Sequence, residues 1–389
     1  MKNKIALVCD ANFATLPVVF ALKQLGYRVA CCGALASDPC HAIADLSFLI
    51  DYSDKNALLA LVCELKPDCL ISGCNDVSYL SAAWVAQQQG YPGFDRYDTA
   101  QVIHEKVLFR KLCQHKNYPS PGSANSVAQA INLTFPVIVK PTASFSGKGI
   151  QKFQTEDALT DFFESNFVHS EDYVIEEFVN GKLFSHSAFI KDGSIVVDFF
   201  VNEYCTVYPY QVNSSHLSTD LSEQVKLQAR NWLVQFAQDL SLVDGLVHTQ
   251  FLSDGSSFVI LEVCRRSPGD LYSLLIQKST GLDYARLFAD GFLKQLPAEV
   301  THRIKPHFIT RHTVSVDYDC IFLGASLKLD CVDMVNYQLK KSGEKMKAAP
   351  YDKSGIYFIE HYSEDEMLEH AENMRYFVNV DCVRIEEPL

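Results

Sequence analysis

The 389-residue chain has no apolar run of 18 residues, and its amino-terminal stretch "IALVC" is broken at once by Asp10. That stretch is too short for a signal-peptide core or a membrane span. Positive charge is not in excess: 34 Lys and Arg face 47 Asp and Glu, for a net charge of −13. A general binder of nucleic-acid phosphates is therefore excluded. There is no lipidation motif, repeat or low-complexity tract. The 13 cysteines show no repeated CxxC or Cys/His spacing, and their odd number does not suggest a disulfide framework. Reduced thiols and a cytoplasmic location are expected. What is present is globular: 48% apolar residues with 25 Phe and 18 Tyr, on a chain long enough for two or three domains.

The first hundred residues alternate strand and helix signals. "IALVCD" (5–10), "YRVACCG" (27–33) and "DCLISGC" (68–74) read as buried strands. "ATLPVVFALKQLG" (14–26), "NALLALVCELKP" (56–67) and "VSYLSAAWVAQQQG" (77–90) read as helices between and after them. This rhythm predicts an open parallel sheet, with ligands beyond the strand ends near Asp10 and near Gly73–Asp76. Residues 97–123 predict one helix, capped by Asp98, and then a Pro/Gly-rich break. Residues 124–292 mix strands and helices, 295–306 read as a linker, and the remainder holds short strands and one acidic helix, 364–377.

Three segments carry candidate chemistry. "FPVIVKPTASFSGKGIQKF" (135–153) brings Lys140 to a strand end before a loop of small residues. Small residues and glycines let backbone N–H groups approach an anion, and lysine adds a point charge. The loop lacks the Walker spacing, so it reads as a strand–loop–strand flap; a solvated hairpin is the alternative. "YVIEEFVNGKLFSHSAFI" (173–190) ends a strand in Glu176, Glu177, Phe178 and Val179 before a turn at Asn180-Gly181. The backbone of Glu177 and Val179 suits a planar base; an ordinary hairpin is the alternative. "GLVHTQFLSDGSSFVILEVCRRSPGD" (245–270) reads as a hairpin around Asp254-Gly255. Simple alternation puts Ile260, Glu262, Cys264 and Arg266 on one face and Leu261, Val263 and Arg265 on the other. Gln250 joins Glu262 only if the loop is long or the strand bulges. A structural Glu262–Arg266 ion pair is the alternative reading.

In order and spacing these segments resemble the ATP-grasp superfamily, closest to its biotin-carboxylase-like and amino-acid-ligase-like branch. The resemblance covers roughly residues 1–300 and implies an α/β and α+β fold in three parts. These are a parallel βαβ domain preceding the ATP-grasp core (1–97), a two-lobed ATP-grasp domain (98–294), and a small α+β carboxy-terminal domain (295–389) completing the large lobe. Within the second, 98–123 would be a linker helix, about 124–178 the small lobe and about 179–294 the large lobe. The implied activity is ATP-dependent joining of a small-molecule carboxylate to an amine through an acylphosphate, with ATP and Mg²⁺ as cofactors. No nucleic-acid or membrane partner is implied, and a homodimer is compatible with it. Bicarbonate or formate activation and non-catalytic nucleotide binding are the alternatives.

Carried over by position, Lys106 and Lys140 resemble the ATP-phosphate lysines. Ser144, Ser146, Gly147 and Gly149 resemble the flap, and Glu176, Glu177, Phe178 and Val179 the adenine hinge. Gln250 and Glu262 resemble the metal-binding pair, and Arg266 the arginine that stabilises the acylphosphate or carboxylate. Arg265 and Asp270 would adjoin the substrate, Asp270 having helix N-capping as its alternative. The chain departs from the pattern at Gln250 (usually Glu), Cys264 (usually Asn) and Leu183 (often a ribose-binding Glu, for which His186 would substitute).

Overall fold

The computed structural model describes residues 4–142, 147–165, 172–300 and 307–385. Strands β1 (Ile5–Cys9), β2 (Arg28–Cys32), β3 (Leu46–Phe48) and β4 (Cys69–Ser72) form a sheet of order β3-β2-β1-β4. Every pairing in it is parallel, as the βαβ rhythm predicts. Its strands are near-continuously apolar because helices cover both faces, and Cys31 and Cys32 are fully buried core residues. Close packing explains Gly73, where a Cβ would sit 2.0 Å from that of Asp10.

The predicted single helix over 97–123 is two helices, Tyr97–His104 and Lys106–Lys116. Glu105 between them is extended (φ −91°, ψ 116°), so the chain turns before Lys106. Asp98 is not the cap. It lies in the first turn behind Arg96 and pairs with it. The acidic carboxy-terminal helix is likewise divided, into Glu364–Ala371 and Met374–Phe377.

Four strands, β5 (Ser123–Ala124), β6 (Val137–Pro141), β7 (Gln151–Phe153) and β8 (Tyr173–Glu177), make a small antiparallel sheet of order β5-β8-β6-β7. The β6–β7 connection is the predicted flap. The remaining strands are β9 (Lys182–Lys191), β10 (Ser194–Tyr204), β11 (Ser214–Leu217), β12 (Gly245–Ser253), β13 (Phe258–Cys264), β14 (Ile309–Val314), β15 (Cys320–Leu327), β16 (Asp333–Gln338), β17 (Lys345–Met346), β18 (Gly355–Glu360) and β19 (Val378–Arg384). Eight of them form one sheet, β13-β12-β9-β10-β11-β14-β18-β16, and three form another, β17-β15-β19. Strands from beyond residue 307 thus continue the large sheet.

The large sheet has two unlike faces. Phe184, Phe251, Ile260 and Val263 pack with Phe236 and Leu233 of helix Glu223–Asp239 in one apolar core. The other face is polar and bears Ser185, Ser187, Gln250 and Glu262. A bulge creates this division. The hairpin closes with Ser253 opposite Phe258, and Phe251 faces Ile260; the register then shifts so that Gln250 faces Glu262. Leu261 is the extra residue. Simple alternation is therefore corrected: Ile260 is core, on the face opposite Glu262, because the bulge reverses the strand's parity.

Three histidines are buried neutral. Burial pushes His248 down to about 3, and His312 and His361 to about 4. In the unfolded chain each binds a proton near 6.5. Between those values the unfolded state holds more protons, so stability falls as pH drops from about 6.5 towards 4. The urea midpoint should decline steadily between pH 7 and pH 5. A constant midpoint over that interval would contradict these burials.

Candidate active site

The polar face of the large sheet, the small sheet and the strand ends of the first sheet converge where Lys106 reaches the Thr142 carbonyl and Arg266 reaches Asp76, and the region between them is the candidate cleft. Glu176 on β8 is buried beneath it. One oxygen accepts from Arg110 Nε at 2.7 Å and the other from Lys140 Nζ at 2.6 Å. Burial raises its pKa, but Arg110 and Lys140 more than offset that and hold it at about 2. Arg110 also donates to the carbonyls of Ile260 (3.4 Å) and Leu261 (2.6 Å), tying β8 to the bulge in β13. Arg110 lies one helical turn beyond Lys106; that spacing is the signal that sequence reading passed over.

The two predicted phosphate lysines share this region. Lys140 is engaged by Glu176, while Lys106 Nζ donates to the Thr142 carbonyl at the flap base, 3.3 Å away. Burial lowers the Lys106 pKa, against the opposing pull of Glu262 and Asp76. Its ammonium therefore sits in the field of both acids. In the flap, Gly147 and Gly149 have φ +73°, and a Cβ on Gly147 would lie 2.3 Å from the Tyr210 carbonyl oxygen. Tyr208 Oη donates to the Gly147 carbonyl at 3.2 Å. The aromatic segment after β10 thus meets the flap base. Ser144 and Ser146 lie outside the described residues.

At the predicted hinge, the Glu177 and Phe178 N–H groups donate to Gly122 and Pro136 carbonyls. The Glu177 carboxylate accepts from Thr134 N at 2.8 Å, and Lys152 lies over the Phe178 ring. Val179 follows at the turn into β9. His186, in contrast, is on the apolar face. It stacks on Phe200 and bonds Asp198 at 2.9 Å, which pairs in turn with Arg230. It is one residue out of phase with cleft-facing Ser185 and does not replace a group at Leu183.

Glu262 stands exposed in the cleft directly opposite Gln250. Gln250 Nε2 donates to Glu203 Oε2 at 2.5 Å, leaving its amide oxygen as the group able to face a cation. Glu203, at the end of β10, is a buried acid that the sequence reading missed; burial raises its pKa. Cys264 is buried, and burial pushes its thiol up to about 12, so it offers no thiolate. One exposed carboxylate and one amide oxygen suit Mg²⁺, which accepts one or two protein oxygens and completes its shell with phosphate and water.

The adjacent arginines diverge. Arg265 is buried, pairs with Asp95 at 2.7 Å and donates to the Leu246 and Val243 carbonyls at 2.6 Å. It clamps the core and does not reach the cleft, which corrects its assignment to substrate. Arg266 faces the cleft and forms a two-pronged pair with Asp76, Nε–Oδ1 and Nη2–Oδ2 both 3.1 Å. Burial raises the Asp76 pKa, but Arg266 and the His104 hydrogen bond hold it well below the usual range. The strand ends of the first sheet, expected to face ligand, thus meet the end of β13 in the large sheet here. Asp270 pairs with Lys353 and accepts from Thr313 Oγ1 at 3.1 Å. It is not a helix cap: Leu271 holds that position, without a side-chain bond.

This fold and cleft are similar to those of ATP-grasp proteins. More particularly, residues 107–290 match the family model described as D-ala D-ala ligase C-terminus. A D-alanine–D-alanine ligase from Francisella philomiragia is 26% identical over 207 residues, 50% of this chain. The match spans 66% of that relative, just under two thirds of its length. An L-amino acid ligase from Bacillus licheniformis superposes with a TM-score of 0.78 at 16% identity, over 98% of this chain and 99% of its own. The biotin carboxylase domain of 2-oxoglutarate carboxylase from Hydrogenobacter thermophilus, complexed with MgADP, ADP and bicarbonate, gives 0.72 at 13% identity, over 98% and 91%. These two likenesses concern the fold. Among the described residues no helix is long and apolar enough to cross a membrane.

Proposed function

We propose that this chain is an ATP-dependent ligase that activates a small-molecule carboxylate as an acylphosphate and joins it to an amine, releasing ADP and phosphate. The observation carrying this is the convergence of Lys106, Lys140, Glu262 and Arg266, from different parts of the chain, on one cleft beneath a glycine flap. Phosphoryl transfer asks a protein for positioning and charge neutralisation more than for covalent chemistry. Lys106 and Lys140 would hold phosphate oxygens, and the backbone after Glu177 would frame the base. Glu262 and the Gln250 amide oxygen would hold Mg²⁺, which when bound neutralises phosphate charge. For Lys140 to reach a phosphate it would share its proton donors with Glu176. Arg266 would turn part of its fork from Asp76 to the carboxylate or acylphosphate.

The three-part division, at 97 and 294, is part of this reading. So are a homodimer and a cytoplasmic site of action.

The test is ADP and phosphate release from MgATP with a panel of carboxylates and amines. Release requiring both a carboxylate and an amine is expected. Release driven by bicarbonate alone would favour the carboxylase-type alternative, for which the bicarbonate in the Hydrogenobacter complex is the supporting observation. AMP and pyrophosphate as products would rule out the acylphosphate route.

A further inference from the structure

Arg311 on β14 is a buried cation without an acid at contact distance. It is 4% exposed. Arg110, Arg230, Arg265, Arg266 and Arg286 all pair with carboxylates, whereas among the described residues no acidic oxygen lies within 4.0 Å of Arg311. Its Nη1 donates weakly to the carbonyls of Gly269 (3.5 Å) and Asp270 (3.2 Å), and its Nε is buried with no partner. The nearby Asp270 carboxylate is taken by Lys353 and Thr313. A buried cation without an acid beside it is unfavourable, so this position calls for an anion.

The surroundings point to its chemistry. Register places Glu203, Ser215 and Arg311 side by side in one cross-strand row, and Ser215 Oγ is also buried without a partner. The Arg311 guanidinium lies 5.9 Å from the centre of the Tyr272 ring. Tyr272 Oη is 3.3 Å from Ser185 Oγ, and Ser185 faces Gln250 in the sheet. The row therefore adjoins the floor that carries Gln250 and Glu262. Glu203 and Arg311 are two strand spacings apart, about 9–10 Å between backbones.

We propose that Arg311 and Ser215 form a subsite for the carboxylate of an amino-acid substrate, whose ammonium group faces Glu203. The place of this subsite in the reaction rests on the ligase reading, since the amino acid would serve as the amine. The planar fork of arginine matches a carboxylate, and Ser215 Oγ adds a donor beside it.

The experiment compares the standard L-amino acids with their carboxamides, by thermal shift in the presence of MgADP. At least one amino acid should raise the melting temperature of the wild-type protein, and its carboxamide should not. Arg311→Met should lose that response and keep the shift caused by MgADP alone. The subsite is overturned if no amino acid acts, if acid and carboxamide act equally on the wild type, or if Arg311→Met still responds. The wild-type comparison stands even if that variant does not fold. ADP release is measured alongside. Amino-acid binding through Arg311 without any ATP turnover would refute the ligase reading and leave the subsite in place; turnover indifferent to carboxamide substitution would do the reverse.

Discussion

Glu262→Ala is expected to lower carboxylate- and amine-dependent ADP release by about two to three orders of magnitude, the usual cost of removing one group that stabilises developing charge. Glu262 is exposed on the cleft floor, opposite Gln250. Cys264, two cross-strand pairs further on, is buried, with its thiol held neutral to about pH 12. Glu203 is turned to Gln250 by a 2.5 Å hydrogen bond. Glu262 is thus the cleft-facing carboxylate of this floor placed to meet a cation at the phosphates. An exposed side chain contributes little to folding, so the unfolding free energy of the variant, from urea titration, should match the wild type within about 0.5 kcal/mol. Glu262→Asp should recover part of the activity. Wild-type turnover in Glu262→Ala would remove the proposed cation site.

Glu176→Ala is expected to destabilise the folded protein by about 3–5 kcal/mol, because breaking a buried ion pair strands the remaining charges. Arg110 and Lys140 both close on this carboxylate, Arg110 being 3% exposed. Its loss leaves the Arg110 guanidinium, among the described residues, with the Ile260 and Leu261 carbonyls but no carboxylate. Urea unfolding measures the change. Pairing Glu176→Leu with Arg110→Met should restore part of the loss, since the buried Arg110 charge is then removed and the remaining cation, Lys140, is the more exposed of the two. A single variant as stable as the wild type would mean that the carboxylate is not the keystone of this network.

Much of this was legible in the sequence, for identifiable reasons. The first sheet was readable because its strands are continuous apolar runs separated by amphipathic helices, a pattern local to each segment. The divergence of Arg265 from Arg266 followed from alternation. The bulge at Leu261 did not, because a one-residue register shift leaves no mark in composition; it set Ile260 on the wrong face until the pairing was known. His186 was misjudged for a different reason: it lies three residues from Leu183 on a strand without a bulge between them, so alternation already sets it on the opposite face. Glu203 and Arg311 were passed over, and Asp76 was read as part of a ligand-facing strand end rather than as the partner of Arg266, because their significance arises only in three dimensions. Each lies far in sequence from the group it answers: Glu203 from Gln250, Asp76 from Arg266, Arg311 from the segment after Arg266.

The bulge also ties backbone phase to the buried arginine. Because Leu261 is the one extra residue, removing it would let the hairpin pair regularly, with Ile260 still opposite Phe251 and Glu262 still opposite Gln250. What would go is the Leu261 carbonyl, which accepts from Arg110 at 2.6 Å. Deleting Leu261 should therefore cost stability through Arg110 more than it rearranges the cleft floor, whereas a deletion in the neighbouring loop 254–257 would shorten a turn.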